Sequence, residues 1–212
     1  MRPHKSRYWL TSQDKLDDPD QYQSDVQAVC GVYHEAQPLY DIGTHVVSVD
    51  EKTGIQALER LHPTKPTRPD LTERREFEYI RHGVQSLTAS FHVATGKVVA
   101  STIRATRNEE DFVSHIERTL ATDPNENWIF VLDQLNTHMS EGLVYLVAER
   151  CGIDEDLGVK GRYGILKTMA TRRAFLEDQS HSICFVYTPK HCSWLNQVEI
   201  WFSILVRRAL KR

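Results

Sequence analysis

Two apolar, β-branched runs in this chain each end in an aspartate, and this feature constrains the fold most strongly. The run THVVSVD ends at Asp50, and the run WIFVLD ends at Asp133. Short apolar runs of this kind predict buried strands, so each acid is expected at the end of a strand. A third acid, Glu199, lies inside the amphipathic helical pattern SWLNQVEIWF. Three such carboxylates can converge on hard divalent cations, because these ions prefer oxygen ligands.

The order of the predicted elements favours an α/β fold with a mixed sheet. The strand over THVVSVDE is followed by an exposed loop, HPTKPTRPDLTERRE, and by a hairpin around Thr95-Gly96-Lys97. A helix, a strand, a helix, a strand and a final helix complete the predicted order, which is typical of a sheet with helices on its faces. Ligands bind such sheets at the carboxyl ends of the strands. The final helix is expected to begin after Ser193, as its N-cap, and to bring Glu199 to that edge.

The N-terminal part of the chain differs in composition from the rest. Residues 1–44 are polar and are interpreted as an arm or linker with one helix over QSDVQAVCGVYHEA, and residues 45–212 as one domain with an insertion at about 153–180. No apolar run approaches the roughly 20 residues of a membrane span. The N-terminus MRPHKSRYWL also lacks the apolar stretch of a signal peptide. A cytoplasmic location with no membrane partner is therefore expected.

Charge does not decide between nucleic-acid binding and other functions. The net charge is −3, whereas a nucleic-acid-binding protein is expected to be basic. The cations nevertheless form local groups that can meet phosphates. Those groups comprise Arg104 and Arg107; Lys160, Arg162, Lys167, Arg172 and Arg173; and Arg207, Arg208, Lys211 and Arg212. A zinc site at His181, Cys184, His191 and Cys192 is not favoured, because the spacing matches no usual zinc finger.

Three segments, DEKTGIQALER, LDQLNTH and YTPKHCSWLNQVEIWFSIL, resemble the signature blocks of one transposase family. That family is the bacterial insertion sequence 630 family of the mariner superfamily, and the resemblance extends over nearly the whole chain. It implies a ribonuclease H-like fold with a mixed five-stranded sheet flanked by helices. It also implies that residues 45–212 are a DDE catalytic domain. Residues 1–44 would be the tail of a DNA-binding region whose helix-turn-helix is mostly lacking.

The resemblance implies an enzymatic activity and its cofactors. Asp50, Asp133 and Glu199 would form a DDE triad that binds two Mg²⁺ or Mn²⁺ ions. The expected enzyme is a transposase, an endonuclease that cleaves DNA and transfers strands during the transposition of an insertion sequence, and hence in DNA recombination and integration. One ion would activate water or a 3′-hydroxyl and the other would stabilise the leaving oxygen. Because the protein mainly positions groups in phosphoryl transfer, no nucleophilic side chain is expected.

The same blocks imply partners and supporting residues. The partners would be DNA, as terminal inverted repeats and target, and a second copy of the chain in a homodimer. Gln134 occupies a position where the family often has Asn, and His138 matches a family histidine that is expected to orient substrate or ligands. The residues expected beside the metal ligands or in contact with DNA are Gln134, His138, Lys190, Trp194 and Asn196.

Two alternatives stay open at this point. The first interprets the chain as a non-catalytic transposase remnant that dimerises with an intact relative and inhibits it. The second interprets it as a host nuclease of the same fold that acts on RNA–DNA hybrids. Metal-dependent DNA cleavage would argue against the first alternative, and a preference for terminal repeats would argue against the second.

Overall fold

The computed structural model describes Ser12 and residues 14–210 as a mixed sheet with helices on both faces. The strands are β1 (Thr44–Arg60), β2 (Tyr79–His92), β3 (Lys97–Arg104), β4 (Asn127–Leu132) and β5 (Ile183–Tyr187). The helices are α1 (Asp14–Asp17), α2 (Pro19–His34), α3 (Ala36–Asp41), α4 (Glu109–Leu120), α5 (Glu141–Cys151), α6 (Met169–Leu176) and α7 (Val198–Leu205). Single 3₁₀ turns lie at Asn136–Met139, Ile165–Lys167 and Ser193–Leu195, and a π-helical turn at Val206–Leu210 follows α7. None of the described helices is both long and apolar enough to cross a membrane.

The sheet has β1 at its centre and the strand order β3-β2-β1-β4-β5. Strands β2 and β3 continue antiparallel on one side of β1, and β4 and β5 run parallel to β1 on the other side. This order and these directions are those of a ribonuclease H-like sheet, so the predicted fold class is confirmed. The predicted hairpin around Gly96 is also confirmed, since it joins β2 to β3.

Strand β1 sends alternate side chains to opposite faces of the sheet, as the pleat of a strand requires. Val47 and Val49 join the main core beneath α4, α5 and α6. Val46 joins a second cluster beneath α2, and the neighbouring position on this face, Ser48, contacts the segment before α7. By the same alternation, Asp50 belongs to the α2–α7 face and Glu51 to the α4–α5 face.

The helices beside β4 begin and end where the sequence predicts. Asn108 caps α4 in a reciprocal capping box with Asp111, which satisfies amide groups that the first turn would otherwise leave free. Helix α5 ends at Gly152, which adopts the left-handed conformation with φ of 66° that favours glycine. These caps fix the helices that cover the main core.

The N-terminal segment is part of the folded unit over its described residues. The sequence predicts an arm or linker here. In the structure, however, α2 and α3 bury Val29 and Ala36 in one cluster with Val46 and Val131 of the sheet. The burial of these small and β-branched side chains holds the helices on the sheet. The domain boundary at residue 44 stays a prediction.

The last helix begins later than predicted. Ser193 does not cap it: the chain makes a 3₁₀ turn over Ser193–Leu195 and is extended at Asn196, with φ of −81° and ψ of 106°, before α7 begins at Val198. The cause is the Asn196 side chain, which is drawn into hydrogen bonds with β1. The helix cannot continue through a residue held in that conformation.

Candidate active site

The fold brings two predicted acids to the same edge of the sheet. Strands β1 and β4 are parallel neighbours, and their last paired residues are Ser48 and Val131. Asp50 and Asp133 each follow two positions later, so both lie at the carboxyl ends of the paired segments. Glu199 lies in the first turn of α7, which packs against β1 and β2.

Asp50 is the most strongly perturbed of the three acids. Its pKa is raised to about 7, first because the carboxyl group is buried and further because Asp133 and Glu199 add negative charge nearby. The amide of Glu51 donates to Oδ1 at 2.7 Å and opposes this rise. Asp133 and Glu199 therefore lie close enough to Asp50 to act electrostatically on its ionisation.

Asn196 supports Asp50 from inside the protein. Its Nδ2 donates to the Val49 carbonyl at 3.0 Å and to Asp50 Oδ2 at 3.2 Å, and its Oδ1 accepts from the Ser48 hydroxyl. The same hydroxyl accepts from the Val198 amide at 3.0 Å, which ties the start of α7 to β1. Asn196 is only 1% exposed, so of its two predicted roles the structure favours the one beside Asp50 over direct contact with DNA.

Asp133 is held by His138, which lies five positions later in a 3₁₀ turn. Asp133 Oδ1 lies 2.7 Å from His138 Nδ1 and accepts the Leu135 amide at 3.1 Å. The other ring nitrogen, Nε2, lies 3.5 Å from Glu51 Oε1. Burial alone would lower the pKa of His138, but the hydrogen bonds and charges of Asp133 and Glu51 outweigh it and raise the pKa to about 9. In return, the imidazolium lowers the pKa of Asp133 although burial opposes this.

The remaining predicted site residues lie around the same edge. Gln134 donates from Nε2 to the Thr188 carbonyl at 3.1 Å and so fastens the segment after Asp133 to the end of β5. Lys190 is exposed just beyond β5, and Trp194 is 67% exposed. Of these three, the two exposed side chains are placed where a large ligand can reach them.

Cations flank the acids, and of those named here only Lys52 was not singled out by the sequence. A groove of about 400 Å³ beside Glu199 is lined by Lys52 from β1 and by Arg207 from the turn after α7. A second hollow of about 300 Å³ is lined by Arg173, Lys190 and Gln134 together with acidic residues of the N-terminal helices. The first hollow places positive charge next to Glu199, whereas the second combines its two cations with Asp17, Asp18 and Asp25.

The residues suit hard cations in chemistry but are not gathered around one point. Asp50, Asp133 and Glu199 offer the carboxylate oxygens that Mg²⁺ and Mn²⁺ prefer. Over Ser12 and residues 14–210, however, no three His, Cys, Asp or Glu side chains are close enough together to hold a metal ion. Binding of one ion by all three acids would therefore require at least one of these side chains to reorient.

Sequence reasoning missed Glu51 and Ser48, although a signal for each was present. Glu51 is a charged residue on the face of β1 that otherwise carries Val47 and Val49, and a charge on a buried face needs a partner. Ser48 is the polar residue among the buried positions of the other face. Neither partner can be identified from the sequence, because His138 and Asn196 are distant along the chain.

Comparisons with known proteins find one matching family and several solved structures that resemble this chain. A family model described as DDE superfamily endonuclease matches residues 45–212. The chain is 14% identical to the Mos1 mariner paired end complex with Mn, covering 94% of this chain and 59% of that one, with a TM-score of 0.43. It is 13% identical to the mariner Mos1 paired end complex with Mg, covering 95% of this chain and 59% of that one, with a TM-score of 0.42.

A third similar structure is the Mos1 Strand Transfer Complex, at 11% identity and a TM-score of 0.41, covering 69% of this chain and 43% of that one. The chain thus spans 59% or less of the length of these three structures. Structural similarity at these identities and TM-scores does not indicate function. No curated protein sequence matches the chain at a significant level.

Proposed function

Because this chain belongs to the DDE superfamily endonucleases, we propose that it is a transposase catalytic domain that cleaves DNA and transfers DNA strands. The observation that carries the proposal is that Asp50 and Asp133 lie at the carboxyl ends of neighbouring parallel strands, with Glu199 near enough to help raise the pKa of Asp50. A buried carboxyl whose pKa is raised by neighbouring acids is typical of functional sites, where a bound ligand can offset the charge. An insertion sequence of the 630 family is the proposed element on which the domain acts.

The proposed cofactors are two Mg²⁺ or Mn²⁺ ions held by the three acids. When bound, such ions supply an activated water or 3′-hydroxyl and stabilise the leaving oxygen of an in-line displacement. Asp50 would offer oxygens from a central strand, fixed by Asn196 and the Glu51 amide. Asp133 would offer the oxygen that is not engaged by His138 and the Leu135 amide. Glu199 would close the site from α7.

DNA is the proposed substrate and partner. Lys52 and Arg207 beside Glu199, and Arg173 and Lys190 beside Gln134, are placed to meet phosphates on either side of the acids. The exposed indole of Trp194 can stack on a base at the same edge. We propose that the DNA comprises terminal inverted repeats and a target, bound by a homodimer. The cytoplasmic location expected from the sequence stays a prediction.

A metal-dependent nicking and joining assay tests the proposal. Supercoiled plasmid is incubated with the protein and Mn²⁺ or Mg²⁺, and a labelled oligonucleotide with a free 3′-hydroxyl reports strand transfer. Asp50→Asn, Asp133→Asn and Glu199→Gln are each expected to reduce both products to the level without metal. Glu117→Gln, an exposed acid on α4, is the matched control and is expected to leave both products unchanged. Equal activity in the triad variants would contradict the proposal.

A second candidate is a non-catalytic protein that pairs with an active relative and inhibits it. The observation that favours it is that the described residues hold no gathered set of three metal-binding side chains. This candidate requires co-purification with the active relative and no metal-dependent nicking by the chain alone. The same assay therefore separates the two functions.

A further inference from the structure

Glu51 has no place among the proposed metal ligands, yet its carboxylate is buried. The side chain is 6% exposed and lies on the face of β1 that carries Val47 and Val49 into the main core. Burying a carboxylate is costly unless it is paired. Its ion-pair partner is His138, whose Nε2 lies 3.5 Å from Glu51 Oε1.

The His138 side chain is closely packed, although its buried Nε2 makes no hydrogen bond and faces Glu51 only at ion-pair distance. Phe112 packs on its face with the ring centroids 4.2 Å apart. Its backbone carbonyl accepts the Tyr187 hydroxyl at 2.7 Å, and its amide donates to the Leu135 carbonyl at 2.9 Å. With one ring edge at Glu51, the opposite edge is directed to Asp133, where Nδ1 lies 2.7 Å from Oδ1.

This arrangement fixes how Asp133 is presented to solvent. His138 and the Leu135 amide both engage Oδ1, while the Asp133 side chain as a whole is 44% exposed. We infer that Glu51 is a positioning residue, which holds His138 so that His138 fixes the orientation in which Asp133 meets a divalent metal. The inference rests on the proposed function, because it takes Asp133 to be a metal ligand.

Strand β1 would then serve the metal site from both faces of the sheet. Asp50 belongs to the α2–α7 face and binds metal directly, whereas Glu51 belongs to the α4–α5 face and acts through the imidazole. Groups that hydrogen-bond to a metal ligand typically change metal affinity about 10- to 100-fold when they are removed. A residue that only fills the core would change stability without such an effect.

Metal affinity, measured apart from activity, tests the inference. Isothermal titration calorimetry gives the Kd for Mn²⁺ of the wild type, Glu51→Leu and Glu51→Gln. Glu51→Leu keeps an apolar volume but removes the partner of His138, and we expect it to weaken Mn²⁺ binding about 10- to 100-fold. Glu51→Gln keeps an oxygen that can accept from Nε2, so we expect a smaller loss. Thr102→Val, which removes a buried hydrogen bond to His115 in the same core, is the control and should lower Tm with the Kd unchanged.

The outcomes separate this inference from the proposed function. If the wild type does not bind Mn²⁺, or if Asp133→Ala binds it equally well, the proposed metal site fails. If the wild type binds and Asp133→Ala does not, an unchanged Kd in Glu51→Leu overturns the role of Glu51. Should Glu51→Leu fail to fold, Glu51→Gln decides: a weaker Kd at a wild-type Tm supports positioning, and an unchanged Kd overturns it.

Discussion

Replacing Asn196 by alanine tests the buried connection between β1 and α7. Asn196→Ala removes two donated hydrogen bonds, to the Val49 carbonyl and to Asp50 Oδ2, and one accepted from Ser48. A buried neutral hydrogen bond contributes about 1 kcal/mol, and one to a charged group contributes about 1.5–3 kcal/mol. We therefore expect the free energy of unfolding to fall by about 3.5–5 kcal/mol at about pH 8, where Asp50, with a pKa of about 7, is ionised.

Urea unfolding at equilibrium measures this change, provided that the slope of the transition is unchanged. Trp194→Ala is the matched comparison, because Trp194 lies two positions away but is 67% exposed. Its free energy of unfolding should stay within about 0.5 kcal/mol of the wild type, whereas its affinity for DNA should fall by about 1–3 kcal/mol through loss of stacking. The reasoning is refuted if Asn196→Ala is as stable as the wild type and binds DNA more weakly.

Three further predictions concern pH, charge and backbone. Burial lowers the pKa of His115 from 6.5 to about 4, so as the pH falls the unfolded chain binds a proton before the folded chain does. The free energy of unfolding should therefore fall by up to about 3 kcal/mol between pH 6.5 and pH 4. Measurements of Tm across this pH range should show a smaller loss in His115→Gln. Lys52→Ala and Arg207→Ala should each weaken DNA binding and reduce by about 1 the slope of log binding constant against log salt concentration. Lys97→Ala, at the opposite end of the sheet, should change neither quantity. Fluorescence anisotropy at several salt concentrations measures both. Gly152→Ala should cost about 1 kcal/mol in urea unfolding, because φ is 66° and a Cβ there meets no neighbour that could add to the cost; a neutral result would argue against the left-handed cap.

The sequence predicts the elements of the sheet well because local patterns decide them. The apolar runs before Asp50 and Asp133 become β1 and β4, and the capping pattern at Asn108 begins α4 as expected. The apolar run does not predict how far β1 extends. It continues to Arg60 as an exposed ribbon paired with β2, and the pairing of that ribbon depends on backbone hydrogen bonds rather than on apolar side chains.

For the candidate site, the sequence predicts the three acids and several residues beside them, but not the contacts that join these residues. The start of α7 could not be predicted from helical periodicity, since Asn196 is drawn out of the helix by groups on a strand far away in sequence. The pairing of Glu51 with His138 is equally non-local. The histidine five positions after Asp133 indicates a partner for that aspartate, but the local sequence does not indicate a second carboxylate, Glu51, on the other side of the ring.

The alternation of side chains along β1 restricts where this chain can tolerate a change in length. Loss or gain of one residue between Val46 and Asp50 would turn the following side chains to the opposite faces of the sheet. Asp50 would then point into the core beneath α4, and Glu51 would point towards α7. In those positions Asp50 could not reach the proposed metal site, and Glu51 could not contact His138. Insertions and deletions in this strand are therefore tolerable only beyond Lys52, in the ribbon that has left the core, and the stretch before it can evolve by substitution alone.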